Sequence, residues 1–465
     1  MSAKKIHGPS AAIVIFILGV LLIPLISYIR YMMQDYNYPP FTQAVRLSAI
    51  VIFSILFCGY YLYIKRGRYA ARLNTLLPLG VFSLGIFLSS IPPIFSIDLY
   101  EYVIRGRMVS IYHINPYLYV PNDIKGDLFF NIQNAKIFWE NSTMIYGPVW
   151  TYLVSFFACI AKNSVFFSLF LVKLFLFSLH VLAAFFMYKI AKSLQIEKPD
   201  IIAFAYLLNP LVLVMTGVEG HMDMVMTALL LLAVLLLFME RFYLSFLTLA
   251  VSALTKYFPI LFFPFFVIYM YNAISVKKIF FKKLFISCVI MLLAVVLMYR
   301  PLWIGLDTFS ELKSVLRFDS CSFPYIYYKI ISFAFPALTE QALRYATYAV
   351  FALIYILSFS AFAVSRNKKQ TLLESVAVIF SAYILIAAFQ LNAWYLVCII
   401  PFALFLRVPL KYELIALISF AALISFWKRM SFLLIFAFFI YLILVLISKM
   451  SLWKKQNECR QYKHI

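Results

Sequence analysis

The sequence predicts an all-α fold, a polytopic transmembrane helical bundle of about fourteen spans with a large first outer loop. Three observations carry that expectation. Of 465 residues, 65% are hydrophobic and 12% are charged, where soluble domains carry roughly 45–50% apolar and about 25% charged residues. The mean hydropathy is +0.95. Runs at 11–29, 47–64 and 224–239 approach or reach the roughly 18–20 apolar residues that cross a hydrocarbon core. Finally, these runs are continuously apolar and do not alternate. In lipid only helices and closed barrels satisfy the backbone, so continuous runs imply helices.

Taken in order, the predicted spans are 11–31, 44–64, 74–94, 164–188, 200–218, 222–239, 242–256, 258–274, 283–303, 343–364, 372–390, 394–407, 412–427 and 431–449. No small-residue cleavage pattern follows the first, which is expected to be retained as a helix. Basic clusters at Lys65–Arg72, Lys189–Lys198, Lys277–Lys283, Arg366–Lys369 and Lys449–Lys463 mark the cytoplasmic side by the positive-inside rule. An even number of spans then puts both termini inside. The segment 147–161 is too short to span, and counting it would place the Lys189–Lys198 cluster outside. It is expected to be a re-entrant or interfacial helix, with Trp150 and Tyr152 at headgroup level.

The chain divides accordingly into N-terminal transmembrane helices (1–94), an extracytoplasmic loop with the re-entrant helix (95–163), core transmembrane helices (164–303), a second extracytoplasmic loop (304–342), and C-terminal helices with a cytoplasmic tail (343–465). The net charge of +22 does not indicate nucleic acid, because the basic residues sit in short clusters between apolar runs. Cys58, Cys159, Cys288, Cys321, Cys398 and Cys459 show no paired spacing, and they read as small core hydrophobes, neither metal ligands nor a disulfide framework.

Chemistry concentrates in the first outer loop, which carries Asp98, Glu101, Asp123, Asp127 and Glu140. A transporter has no need of such an ectodomain, whereas an enzyme working at the membrane surface does. If DLYEYVIRGR (98–107) is helical, Asp98, Glu101, Tyr102 and Arg105 share one face. Asp98 and Arg105 would then stand roughly 10 Å apart along the axis, enough for an acceptor hydroxyl at one end and a leaving phosphate at the other. A solvated amphipathic helix has the same spacing. In VEGHMDM (218–224), Glu219, His221 and Asp223 alternate, which fits contact with donor or acceptor, a divalent metal, or a hydrated turn. Arg105, Arg107, Lys256 and Arg300 are basic groups on the side where such residues are disfavoured. Lys256 reads either as a phosphate-binding cation or as a snorkelling interfacial lysine. Lys173 and His180 lie seven apart on one face of a span, suited to function, helix packing or cavity water alike.

The segment DLYEYVIRGRMVSIYHINPYLYVP (98–121) resembles the first outer loop of GT-C fold membrane glycosyltransferases. In polyprenyl-phosphate-mannose-dependent mannosyltransferases that loop reads approximately D-x-Y-x-Y, then G-R, then N-P-Y. Similar motifs follow in order: Tyr146-Gly147-Pro148, Asn209-Pro210, GHMD at 220–223, TKYFP at 255–259, and Trp394-Tyr395 with Pro401. Three departures stand out. Ile97 replaces the first of a paired acid found in some relatives. Arg105 stands where others carry an acid before Gly-Arg. Relatives with other sugars share the pattern. The resemblance implies a GT-C-type bundle in which Asp98 is the general base and 95–163 the catalytic loop. It further implies Glu101, Arg105, Arg107, Tyr146, Glu219, His221, Asp223, Lys256, Trp394 and Tyr395 as substrate contacts. One carboxylate suffices to take the acceptor proton, and the leaving phosphate calls for cations in place of an acid.

The expected function is therefore transfer of a sugar, with mannose first, from a polyprenyl-phosphate donor to a glycolipid or cell-surface glycan acceptor on the extracytoplasmic face. Inverting displacement is expected, with no cofactor, no metal and no nucleic acid, and with membrane lipid as the surrounding partner. Two competing classes are a lipid-linked oligosaccharide flippase or other polytopic transporter, and a polymerase or ligase of lipid-linked glycans. A transporter predicts ionisable groups and broken helices near the midplane. Here, Lys173 and His180 apart, charges keep to helix ends and loops.

Overall fold

Apolar runs become helices throughout the computed structural model, which describes residues 9–32, 43–67, 77–130, 139–316 and 322–424. Among the described residues, regular structure is helical apart from one isolated bridge between Ile304 and Leu306. Each of the first thirteen predicted spans overlaps helical structure, while 74–76, 425–427 and the whole of 431–449 lie outside the described residues.

Among the described residues, six helices are individually long and apolar enough to cross a membrane, seven if a bent pair is counted as one. The polytopic all-α class stands, while the count of fourteen is not confirmed among the described residues. The difference lies in helix length. Helix α9 (Asp223–Phe238) has 16 residues and α10 (Phe242–Ala253) has 12, or about 24 Å and 18 Å at 1.5 Å per residue. Neither spans a hydrocarbon core of about 30 Å unaided.

The predicted span 200–218 is broken. Helix α7 (Pro199–Leu207) ends just before Asn209-Pro210, and the chain resumes at a 47° bend. Pro210 supplies no N–H and its ring obstructs the preceding turn. Asn209 caps the new helix, its Oδ1 accepting from the amides of Leu211 and Val212 while its Nδ2 donates to Ser419 Oγ at 3.0 Å. Helix α8 (Pro210–Leu213) then widens into a π turn over Val214–Val218. A second π turn covers Tyr383–Ala387 at the end of α15 (Lys368–Ala382).

Helix α6 (Val165–Ser193) is the organising element, 29 residues long. It packs against α3 (Leu77–Ser90), α5 (Pro148–Ala161), α7 and α9. Apolar residues on every face leave α9 without a solvent side, and it is buried almost throughout. The opposite pattern marks α12 (Lys277–Tyr299) and α14 (Glu340–Val364), which expose Phe285, Leu292, Leu297, Leu353, Ile356 and Leu357. Such faces need an apolar surrounding, which a bilayer provides. The first loop contains α4 (Asp98–Ser110), a 3-10 turn (Pro121–Ile124) and the 14-residue α5, so DLYEYVIRGR is helical.

Candidate active site

Four loops converge, and each is shaped by a local signal in the sequence. The first is the turn after α3, where Pro92-Pro93 prevents the helix from continuing. Ser96 Oγ accepts from the amide of Asp98 at 3.1 Å as α4 begins. Asp98 occupies the first position of α4. A helix N-terminus favours a carboxylate, but burial pushes the Asp98 carboxyl up to about 7, with the neighbouring charge of Glu101 adding to the effect.

The second loop follows the π turn and carries Glu219, His221 and Asp223. Gly220 turns it at φ +73°, a conformation that side chains rarely adopt, and a Cβ there would also press on Leu99 and Lys173. This turn sends Glu219 and His221 in different directions. His221 stacks on Trp394 with ring centroids 3.9 Å apart and planes at 15°. Its Nδ1 lies 3.8 Å from Asp98 Oδ2. Burial, followed by the charge of Lys256, holds His221 well below its usual range, so the ring is neutral. Both ring nitrogens are buried without a hydrogen bond.

Lys256 arrives on the third loop. Tyr146-Gly147-Pro148 docks onto it, with the amides of Gly147 and Val149 donating to the carbonyls of Thr255 and Leu254 at 3.0 and 3.1 Å. A Cβ at Gly147 would lie 1.9 Å from the Leu254 carbonyl oxygen, so only glycine permits the approach. Lys256 Nζ donates to Asp223 Oδ1 at 2.7 Å and lies 4.5 Å from the centroid of Tyr395. The fourth loop supplies Trp394 and Tyr395 from the 3-10 turn after the second π bulge. Tyr146 joins the edge of the cluster, its ring T-shaped against Tyr102 at 5.6 Å. Single-turn π bulges are common at functional sites, and here both lead into site loops.

Asp98, Tyr146, His221, Asp223, Lys256, Trp394 and Tyr395 are thus brought together. Glu101 is near enough for its charge to act on Asp98 but is paired with Arg105, and Arg105 and Arg107 are turned to other partners. Arg105 Nε donates to Glu101 Oε1 at 2.8 Å, an i,i+4 pair buried along α4, and its Nη2 reaches the Ser142 carbonyl. Arg107 forms a buried pair with Asp127, Nη2 to Oδ2 at 2.7 Å, and also donates to the Lys162 carbonyl. Glu219 is spent on backbone. Its carboxylate accepts from the amides of Ile94, Phe95 and Ser96 at 2.9–3.2 Å. Arg300 is exposed at the end of α12. Within α6, Lys173 Nζ donates to the Ile91 carbonyl, and His180 Nε2 lies 3.2 Å from the Tyr206 carbonyl.

One contributor reads in the sequence as a small core hydrophobe and is indeed buried, yet it also borders the site. Cys398 Sγ sits 3.7 Å from Asp223 Oδ1, beneath the ion pair. Its signal was its position one helical turn after Trp394-Tyr395. Among the described residues no three His, Cys, Asp or Glu side chains form a group able to hold a metal ion. The alternation of Glu219, His221 and Asp223 does not make them converge, since Glu219 faces the 94–96 amides and Asp223 faces Lys256.

A half-buried carboxyl, a cation held by a second carboxylate, and a histidine stacked on a tryptophan thus meet where the four loops converge. A membrane-embedded glycosyltransferase is the class that comparison with known families finds. Residues 38–272 match the MptA_B family, described as alpha-(1->6)-mannopyranosyltransferase, N-terminal domain, and the chain belongs to that family. The protein is accordingly a GT-C-like mannosyltransferase-family enzyme. No curated protein matches the chain. The matched region includes Asp98, Tyr146, His221, Asp223 and Lys256, whereas Trp394, Tyr395 and Cys398 lie beyond it.

Proposed function

We propose that the enzyme transfers mannose from a polyprenyl-phosphate donor to a glycolipid or cell-surface glycan acceptor on the extracytoplasmic face, by direct displacement. The observation that carries this reading is the Asp98 carboxyl at the head of α4, 3.8 Å from His221, gathered into the site that also contains the Lys256–Asp223 pair. The acceptor hydroxyl oxygen attacks the anomeric carbon as its proton passes to an Asp98 oxygen. The bond from that carbon to the phosphate oxygen breaks, and its electron pair leaves with the phosphate. Asp98 is suited to the proton because a general base works best with a pKa near the operating pH. Lys256 stabilises the charge growing on phosphate, a fixed cation placed where charge develops. Trp394, Tyr395 and Tyr146 offer ring faces and hydroxyls to the sugar.

Direct displacement inverts the anomeric centre. The α linkage in the family description therefore requires a β-linked donor. Purified enzyme incubated with a panel of α- and β-linked polyprenyl-phosphate sugars, with products read by mass spectrometry and linkage analysis, tests the proposal. β-Linked mannosyl phosphate should be consumed and an α-mannoside formed. Turnover of the α-linked donor alone, or of nucleotide sugars alone, would refute it.

A further inference from the structure

The turn that launches Asp98 is gripped by charged side chains from three separate elements. Glu219 accepts from three consecutive amides, those of Ile94, Phe95 and Ser96. From α6, Lys173 Nζ donates to the Ile91 carbonyl, and from α1 (Pro9–Met32), Arg30 donates to the Ile94 carbonyl. Lys173 is 1% exposed and Glu219 0%. The two also interact electrostatically, as do Glu219 and Arg30. Charges are costly to bury in a membrane protein and persist where they are paired and hydrogen-bonded. Here every one of those bonds converges on a single short turn.

The sequence position of Glu219 gives that convergence a purpose. Two residues on is His221, 3.8 Å from Asp98, and four residues on is Asp223, the partner of Lys256. One side chain therefore ties the loop bearing Asp98 to the loop bearing the cation's anchor. We infer that Glu219, backed by Lys173, is a positioning clamp that sets the separation between the general base and the Lys256–Asp223 pair.

This inference rests on Asp98 being the base. Displacement requires the attacking oxygen and the leaving phosphate on opposite sides of one carbon, so the base-to-cation span must suit the substrate. A misplacement of about 1 Å can cost roughly 100-fold in rate. Glutamate suits the task because its two oxygens can serve three amides. Glutamine offers one acceptor, and its NH2 would confront an amide N–H. Aspartate is one methylene too short.

The test uses the purified full-length enzyme and four variants: Glu219→Gln, Lys173→Met, Asp98→Asn, and Asp98→Asn combined with Glu219→Gln. Donor binding and turnover are measured on each. Glu219→Gln should lower kcat roughly 10- to 100-fold, with donor Kd and acceptor KM within about twofold. Lys173→Met should do the same more weakly, and it serves if Glu219→Gln folds poorly. In the Asp98→Asn background, Glu219→Gln should cost nothing further, because residues acting as a unit are not additive. Undiminished kcat in both Glu219→Gln and Lys173→Met would overturn the clamp. So would losses that multiply with Asp98→Asn, which signal a general structural lesion. Full turnover by Asp98→Asn alone would instead refute the assignment of the base, a separate and separately visible failure.

Discussion

Lys256 Nζ stands 2.7 Å from Asp223 Oδ1, and the two side chains are unequally exposed, at 27% and 3%. Cys398 Sγ lies 3.7 Å from the buried carboxylate's Oδ1, while the Tyr395 ring centroid lies 4.5 Å from the ammonium. The ammonium is thus the more exposed member of the pair, and under the proposed mechanism it is the member that meets the leaving phosphate.

Lys256→Met should therefore lower kcat by about 10²–10³, the scale of losing one fixed donor to a developing anion. Lys256→Arg should recover part of that loss, since charge is kept while shape is not. Turnover assays on the two variants check this. Equal turnover in wild type and Lys256→Met would remove the lysine from the mechanism.

Activity should rise with pH through about 7, as the Asp98 carboxyl loses its proton and becomes able to accept one. Stability should run the other way. The folded-state pKa lies above the ordinary value of 3.8, so the folded state binds the extra proton. The Asp98 contribution to stability is then full below about 4 and is lost as pH rises through about 7. Asp98→Asn should accordingly melt higher than wild type at pH 8 and close to it at pH 4. Rate–pH profiles and thermal unfolding in detergent read the two effects.

Chelation should leave turnover intact. Glu219 and Asp223 are already committed, to three amides and to Lys256 respectively, which leaves His221 without two companion ligands. Loss of activity in EDTA, restored by Mn²⁺ or Mg²⁺, would require those contacts to rearrange around a metal.

Membrane orientation is open to labelling. In a cysteine-free background, Leu118→Cys in the first loop should react with an impermeant thiol reagent from outside the cell. Glu197→Cys, between α6 and α7, should react only after the membrane is opened. Both positions are exposed. The reverse pattern would place the site on the cytoplasmic side.

Helix positions were legible because each apolar run reports removal from water, into protein for α9 and toward lipid for α12 and α14, and Asp98, Lys256 and Trp394-Tyr395 were legible as charged or aromatic residues at helix ends. The partners were not. Arg105 falls four residues after Glu101, so their mutual neutralisation was visible in the spacing, yet the same spacing also suited a catalytic face. Arg107 and Asp127 are separated by a loop whose path no local pattern dictates. Glu219 binds backbone amides more than 120 residues away, and amides carry no side-chain signature in a sequence. The break at Asn209-Pro210 was readable as a proline signal, but continuous hydropathy masked it.

Replacement of Asp98 by Asn tests the central claim most directly. Asn keeps the size of the side chain and much of its hydrogen-bonding shape but cannot take up the acceptor proton. Turnover by purified Asp98→Asn should fall about 10²–10⁴-fold, with donor binding retained. Glu101→Gln, whose residue faces Arg105 and not the site, is the companion measurement and should retain far more of its turnover. Near-normal turnover by Asp98→Asn, with Glu101→Gln inactive, would move the base one turn along α4. Full activity in both would contradict the mechanism.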